Sequence, residues 1–105
     1  MKKINIVKKK YEFESIIKTG QSIKNNYYVI FYKNSNIDNY RFGISVGTKL
    51  GNAVCRNKYK RKLRNIIDKN KKYYQNKKDY IIIVRKPCIG ANFDVLENEF
   101  LDLIK

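Results

Sequence analysis

The longest helical pattern lies in the middle of the chain, directly after Gly51 and Asn52. From Ala53 onward, no proline or glycine occurs before residue 87. Asn52 is a good N-cap because its short side chain can accept hydrogen bonds from the first free amides of a helix. At about 100° per residue, one face of this helix carries Cys55, Tyr59, Leu63, Ile66 and Ile67. We therefore predict a long amphipathic helix that begins at Ala53.

A shorter helical pattern precedes this segment. Apolar residues recur at i, i+3 and i+4 from Phe13, which predicts a helix over residues 11–19. Gly20 follows, and glycine suits the left-handed position just after a helix end. Residues 1–10 are basic with alternating apolar positions, and we expect a short edge strand or an ordered arm there.

Alternating and continuous apolar runs predict strands in the rest of the chain. Residues 22–32 alternate with both faces apolar, whereas residues 40–46 alternate between apolar and other positions. The outward positions of this second strand are predicted to be Arg41, Gly43 and Ser45. The continuous apolar run 79–86 is typical of a strand covered on both faces. Asn92 or Asp94 is expected to cap a last amphipathic helix.

These elements predict an α+β protein in which residues 1–105 form one domain, a compact α/β sandwich. A strand, a helix and a strand follow one another across residues 40–86, which predicts a crossover unit inside one sheet. A chain of 105 residues can bury a single modest core. There is no internal repeat, linker or low-complexity segment.

The charge balance indicates an anionic partner. Lys and Arg number 24 against 9 Asp and Glu, a formal charge of +15, and this much like charge opposes compaction. Nucleic acid is the first expectation and an acidic membrane surface the second. An AT-rich coding bias would also raise the lysine count, so the placement of arginine is the better indicator. The arginines are Arg41, Arg56, Arg61, Arg64 and Arg85.

Several function classes are disfavoured by what the sequence lacks. There is no apolar run of membrane-spanning length and no apolar signal-peptide region, so we expect a cytoplasmic protein. A membrane-surface partner is disfavoured as well, because the basic helix lacks the large Trp/Phe/Leu face expected for insertion. With no histidine, and with Cys55 and Cys88 far apart, a structural zinc site is excluded and reduced thiols are expected. The close acid pairs, each at i, i+2, are predicted to be solvated: Glu12 with Glu14, and Glu97 with Glu99. We predict no catalytic residue and no metal site in the protein alone.

The long helix carries a row of cations beside its apolar face. Arg56, Lys60 and Arg64 follow one another at i, i+4 and i+8, while Asn57, Arg61 and Asp68 are predicted to lie nearer solvent. Asp68 is the only acid between Lys49 and Lys78, whereas a merely solvated helix face would mix charges. We interpret the row as the border of a groove that binds a polyanion.

Aromatic residues on a sheet face would add base stacking, worth ~1–3 kcal/mol per base. The candidates are Phe13, Tyr28, Phe31 and Tyr32. Core packing is the more common fate of any one of them, and the tyrosines on the two-sided strand are the better stacking candidates.

The segment GNAVCRNKYKRKLR resembles the signature of the protein component of bacterial ribonuclease P, whose core reads Arg-Asn-Arg inside a longer basic helix. The resemblance extends over nearly the whole chain, through Phe13 with Gly20, RFGISVG and DYIIIVRKP. Two positions depart from the family pattern. Lys58 stands in place of the second arginine and loses its bidentate fork, and Ile17 stands where an aromatic residue is common.

This resemblance implies a four-stranded sheet with the long basic helix in a left-handed crossover, an exception to the usual hand. It implies a protein subunit that binds ribonuclease P RNA and the 5′ leader of precursor tRNA, and so promotes endonucleolytic removal of the leader. The RNA with bound Mg²⁺ performs the chemistry, and the protein alone binds no cofactor. No DNA partner is expected. A basic structural RNA-binding protein of ribosomal type, without a role in cleavage, is the alternative.

The resemblance also implies site residues. The basic helix and its start supply the predicted RNA-binding residues Lys49, Asn52, Arg56, Asn57, Lys58, Lys60, Arg61 and Arg64. A leader cleft is expected between the first helix, the sheet and the inner edge of the basic helix. With the stacking candidate Tyr28 included, it would be lined or bordered by Phe13, Ile17, Tyr28, Phe31, Arg56, Lys60 and Arg64.

Overall fold

The computed structural model describes residues 1–105 and contains three α-helices and one four-stranded mixed sheet. The helices are α1 (Lys10–Thr19), α2 (Ala53–Lys69) and α3 (Phe93–Ile104). The strands are β1 (Gln21–Lys24), β2 (Tyr28–Asn34), β3 (Arg41–Val46) and β4 (Lys78–Val84). Their spatial order is β1-β2-β4-β3, and only the β3–β4 pair is parallel. The predicted α+β class and the crossover through the long helix are confirmed.

The single strand predicted over residues 22–32 is wrong, because this stretch is a hairpin of β1 and β2. The Asn25 side-chain oxygen accepts hydrogen bonds from the amides of Tyr27 and Tyr28, at 2.8 and 2.9 Å. An asparagine side chain that accepts from nearby backbone amides stabilises a turn, because those amides then no longer need partners on a neighbouring strand. The apolar alternation continues through the turn, so periodicity alone could not reveal it.

The sheet is covered on both faces, which makes the protein a three-layer structure. One face packs against α2 and α3 and forms the main core, with Ile30, Phe42 and Ile82 fully buried. The other face packs against α1 in a smaller cluster centred on Val7, Ile16 and Ile81. Strand β4 lies between β2 and β3 and is buried on both sides, as its continuous apolar run predicts.

The N-terminal residues form an ordered arm rather than a strand of the sheet. Lys3–Asn5 make a short 3₁₀ turn, and the Asn5 side chain donates to the Tyr40 carbonyl at 2.7 Å. The Val7 amide then donates to the Phe42 carbonyl at 2.9 Å, in a single parallel bridge on the free side of β3. The arm is therefore fixed to the edge of the sheet at two points.

Gly20 ends α1, but not in the predicted left-handed conformation. Its φ of −82° and ψ of 173° are extended. A Cβ atom there would lie 2.5 Å from the Ile16 carbonyl oxygen and 2.7 Å from the Tyr32 carbonyl oxygen. Glycine is required because the end of α1 touches the backbone of β2.

Four acids predicted to be solvated instead make ion pairs or hydrogen bonds, and one of them is Glu99, whose carboxylate accepts from the Asn25 side chain at 3.2 Å. Glu12 binds the Arg41 guanidinium at 2.9 Å. Asp68 accepts from the N-terminal amine at 3.0 Å, and Glu97 accepts from the side chains of Lys69 and Asn70. These contacts join segments far apart in the chain, so local spacing could not show them.

The two cysteines are free, and their environments predict different reactivity. Cys88 is fully buried and its thiol donates to the Tyr27 carbonyl at 3.1 Å, whereas Cys55 is half-buried in the first turn of α2. Near neutral pH, a thiol reagent should modify Cys55 in the folded protein and reach Cys88 only when urea unfolds the chain. Equal rates for both thiols under native conditions would contradict this placement.

The same burial predicts a loss of stability at alkaline pH. Burial raises the pKa of the Cys88 thiol from 9.0 to about 11. In the unfolded chain this thiol ionises first, so the free energy of unfolding should fall as pH rises through the window between about 9 and about 11. A Cys88→Ser variant should lose its share of this alkaline dependence in urea titrations.

Candidate nucleic-acid interface

Helix α2 places the row of cations at a fixed position beside the core. The Asn52 side chain accepts from the Cys55 amide at 2.9 Å and so caps the helix, as predicted. The predicted apolar face is buried at Tyr59, Leu63, Ile66 and Ile67. With a rise of 1.5 Å per residue, the side chains of the row follow one another in steps of about 6 Å.

Two cations of this row line a cavity together with α1 and β3. The cavity has a volume of about 210 Å³. Lys60 and Arg64 lie on one side of it, and Phe13, Gly43 and Ile44 lie on the other. The arm contributes the remaining wall through Ile6, Val7 and Lys8. The structure thus brings the first helix, the sheet and the inner edge of the basic helix together, and we call this cavity the cleft.

Phe13 is held in the cleft by its contact with Gly43. A Cβ atom on Gly43 would lie 2.5 Å from the Phe13 Cζ atom and 2.8 Å from the Ile81 Cδ1 atom. The ring therefore rests directly on the backbone of β3, and only glycine leaves room for it. Phe13 is half-buried, so part of its ring remains open to a ligand.

Beside α1, the sheet face continues as a half-exposed surface. Phe31 packs on this side against the small cluster around Ile81. The next row across the strands is Val29, Ile83 and Ser45, which are in register and only half-buried. The sequence pattern did not single out Val29, Ile83 or Ser45 as site residues. Val29 could have been found, because it lies two positions before Phe31 on the same strand and therefore on the same face.

Tyr28 is not a cleft residue, and this prediction is wrong. It is fully buried, and its hydroxyl donates to the Leu96 carbonyl at 2.9 Å while its ring meets Phe100 edge-on. Burial raises the pKa of the Tyr28 hydroxyl well above its usual range. Alternation along β2 places Tyr28 on the face covered by α3, opposite Phe31. Tyr32 lies on that same face of the strand, and its hydroxyl donates to Gln21.

The remaining predicted residues lie in three places: beside the cleft on α2, on α1, and on the exposed outer side of α2. Arg56 is half-buried one turn before Lys60, and its Nε atom is buried without a hydrogen-bond partner. Ile17 is 37% exposed on α1. The exposed residues at the start and outer side of α2 are Lys49, Asn52, Asn57, Lys58 and Arg61. No acidic residue occurs among residues 49–67, so no side chain of this segment neutralises the cations beside the cleft or those on the outer side of α2.

Arg41 is not available to a ligand, although its placement suggested one. Its guanidinium donates to both oxygens of Asp79, at 2.9 and 2.7 Å, and forms an ion pair with Glu12 at 2.9 Å. The side chains of Arg41 and Asp79 are only 12% and 9% exposed. The hydrogen bonds from the guanidinium to Asp79 are the main reason that the pKa of Arg41 is raised.

No group of three or more His, Cys, Asp or Glu side chains is placed to hold a metal ion. None of the helices combines the length and apolar character needed to cross a bilayer. A cleft between a helix and a sheet, bordered by unneutralised cations at regular spacing, is the geometry of a nucleic-acid-binding protein of the α+β class.

Comparison with known proteins identifies the family. The family model described as Ribonuclease P matches residues 1–105. The ribonuclease P protein component of Mycoplasma mycoides is 41% identical over 106 residues, which cover 100% of this chain and 97% of that protein. The corresponding protein of Bacillus cereus is 36% identical over 106 residues, with coverage of 100% and 92%.

Solved structures agree with this family. The Staphylococcus aureus ribonuclease P protein matches with a TM-score of 0.87 and 37% identity, over 94% of this chain and 91% of that one. The Thermotoga maritima protein matches with a TM-score of 0.83 and 34% identity, over 90% and 89%. Superpositions of this quality require that the crossover from β3 through α2 to β4 has the same hand in this protein as in those two structures. The chain belongs to the bacterial ribonuclease P protein family and is a protein subunit of that ribonucleoprotein enzyme.

Proposed function

We propose that this subunit binds ribonuclease P RNA through the outer side of α2 and holds the 5′ leader of precursor tRNA in the cleft. The observation that carries this proposal is that Lys60 and Arg64 line the same cavity as Phe13. A single strand needs phosphate neutralisation and an apolar or aromatic surface for its bases, and the cleft offers both.

The cations divide between the two RNA ligands according to where they lie. Lys60 and Arg64 face the cavity and would neutralise leader phosphates, and Arg56 would extend this row by one turn. Lys49, Lys58 and Arg61 are exposed and would contact the backbone of the catalytic RNA. Lys58 serves there as a point charge, since it lacks the planar fork of arginine.

The protein's role is to position the substrate rather than to supply a catalytic group. The chain has no histidine, and its acids are either paired or scattered. We infer that the partner RNA, which would hold Mg²⁺, would supply the chemistry of leader cleavage, and that the complex acts in the cytoplasm. Cations beside the substrate would raise the affinity of the complex for precursor tRNA, and would lower the concentration of Mg²⁺ that cleavage requires.

The test is cleavage of a precursor tRNA at low Mg²⁺ by the organism's own ribonuclease P RNA, with and without this protein. We expect cleavage at the mature 5′ end only when both are present, and none with the protein alone. RNA binding without any stimulation of cleavage would contradict the proposal and favour a general RNA-binding role.

A further inference from the structure

A second exposed surface lies beside the cleft, on the arm, the first turn of α1 and the β2–β3 turn. It contains three of the five large apolar side chains that the protein exposes: Tyr11 at 65%, Ile4 at 58% and Ile37 at 39%. Lys3 and Lys9 lie among them, and the Lys9 ammonium group stands 5.7 Å from the centre of the Tyr11 ring. We call Lys3, Ile4, Lys9, Tyr11 and Ile37 the arm patch.

The arm patch is continuous with the cleft. A cavity of about 310 Å³ is lined by Lys3, Ile4, Lys9 and Ile37 of the patch. Ile6 and Lys8 line both this cavity and the cleft. A strand that leaves the cleft past Lys8 therefore enters the arm patch without crossing an intervening element.

The charge of the arm patch also suits an RNA strand. The segments that line it contain two acids, Glu12 and Asp38. Glu12 is bound to Arg41 at 2.9 Å, so its charge is neutralised within the protein. Asp38 is exposed in the turn, and the four lysines of the arm and the start of α1 are exposed as well, so cations outnumber this free acid: Lys3, Lys8, Lys9 and Lys10.

The surface is suited to an unpaired strand rather than to a duplex. An exposed tyrosine ring and two exposed isoleucines can stack on or cover bases, which are accessible only where RNA is single-stranded. The arm is also held rigidly, because Asn5 and Val7 are hydrogen-bonded to the Tyr40 and Phe42 carbonyls. A fixed platform loses little entropy when a strand binds to it.

We propose that the arm patch binds the distal part of the 5′ leader, beyond the nucleotides held in the cleft. This inference rests on the proposed function of the cleft. It predicts that substrates with long unpaired leaders gain affinity from the patch, while substrates with short leaders do not reach it.

The test compares kcat/KM of the holoenzyme for two precursors. One has a leader of about 4 nucleotides and the other about 16, the range that single-strand sites on small domains cover. The variant is Lys3→Ala/Lys9→Ala/Tyr11→Ala. Its matched control is Lys71→Ala/Lys72→Ala/Tyr73→Ala, which removes the same residue types from the turn after α2.

We expect the arm variant to lower kcat/KM about tenfold for the long leader, the equivalent of one stacked base. Its kcat/KM for the short leader should equal that of the wild-type protein. The control variant should leave kcat/KM unchanged for both precursors. An equal loss on both substrates would overturn the proposal and assign the patch to the catalytic RNA. No loss on either would show that RNA does not reach it. Failure of the cleft proposal is separate, since the wild-type protein would then not stimulate cleavage at all.

Discussion

Replacing Lys60 and Arg64 together by alanine is expected to weaken binding of precursor tRNA by roughly a hundredfold or more, because each charged hydrogen bond contributes about 1.5–3 kcal/mol and the two together therefore contribute at least about 3 kcal/mol. Both side chains line the cleft, and no acid within residues 49–67 offers them an internal partner. The slope of log affinity against log salt should also become shallower by roughly 1.4, as single strands give about 0.7 per neutralised phosphate. Affinity is measured on the reconstituted holoenzyme across a salt series.

Two controls separate binding from folding in this experiment. Lys71→Ala/Lys72→Ala removes the same charge from the turn beyond α2 and should leave the affinity nearly unchanged. Leu63 lies next to Arg64 on the same helix, but its side chain is only 2% exposed. Leu63→Ala should therefore destabilise the fold. A loss of about 2–5 kcal/mol in the free energy of unfolding is expected for it. If the Lys60/Arg64 variant unfolds as Leu63→Ala does, these cations belong to the core and the cleft assignment is wrong.

Replacing Arg41 by alanine should cost about 3–5 kcal/mol in the free energy of unfolding, the usual result of removing one partner of a buried ion pair. Asp79 is only 6% exposed in the wild-type structure, and the substitution would leave it without its counter-ion. Glu12 would lose its partner at the same time, which releases α1 from the end of β3. Urea denaturation followed by circular dichroism, with an unchanged m-value, measures the effect.

Two further variants test the cause of that loss. Arg41→Lys keeps the charge but not the two-pronged contact with Asp79, so it should be intermediate in stability. Arg41→Ala/Asp79→Asn removes the buried charge as well and should recover part of the stability. A wild-type urea midpoint for Arg41→Ala would mean that this cluster contributes nothing to the fold.

Local signals were sufficient for the helices. The cap at Asn52 and the apolar spacing from Tyr59 to Ile67 both act within α2, and the structure contains both. The same holds for α3, where the Asn92 side chain accepts from the Val95 amide at 2.9 Å. Helix caps and helix faces depend on neighbours only a few residues away, which a sequence displays directly.

The strands were harder because their partners are distant in sequence. Arg41 alternated outward in its strand and looked like a ligand for an anion, but the parallel register places it beside Asp79. Tyr28 and Phe31 are equally apolar positions of one run, and only the packing of α1 and α3 on opposite faces decides that Phe31 lies on the side of α1 while Tyr28 is buried beneath α3. Gly20 ends α1 as its position predicts, but glycine is needed there because of the contact with the β2 backbone and not because of a left-handed conformation.

The sequence by itself therefore determined the long basic helix, the row of Arg56, Lys60 and Arg64 along its border, and the family resemblance. These depend on residue order within one element. The tertiary structure alone decided that Phe13 rests on Gly43 and that Lys60 and Arg64 line the same cavity. It also decided that Arg41 forms an internal ion pair and is not free to bind a ligand. Such contacts arise from sheet register and layer packing between residues that are tens of positions apart, and no local pattern encodes them.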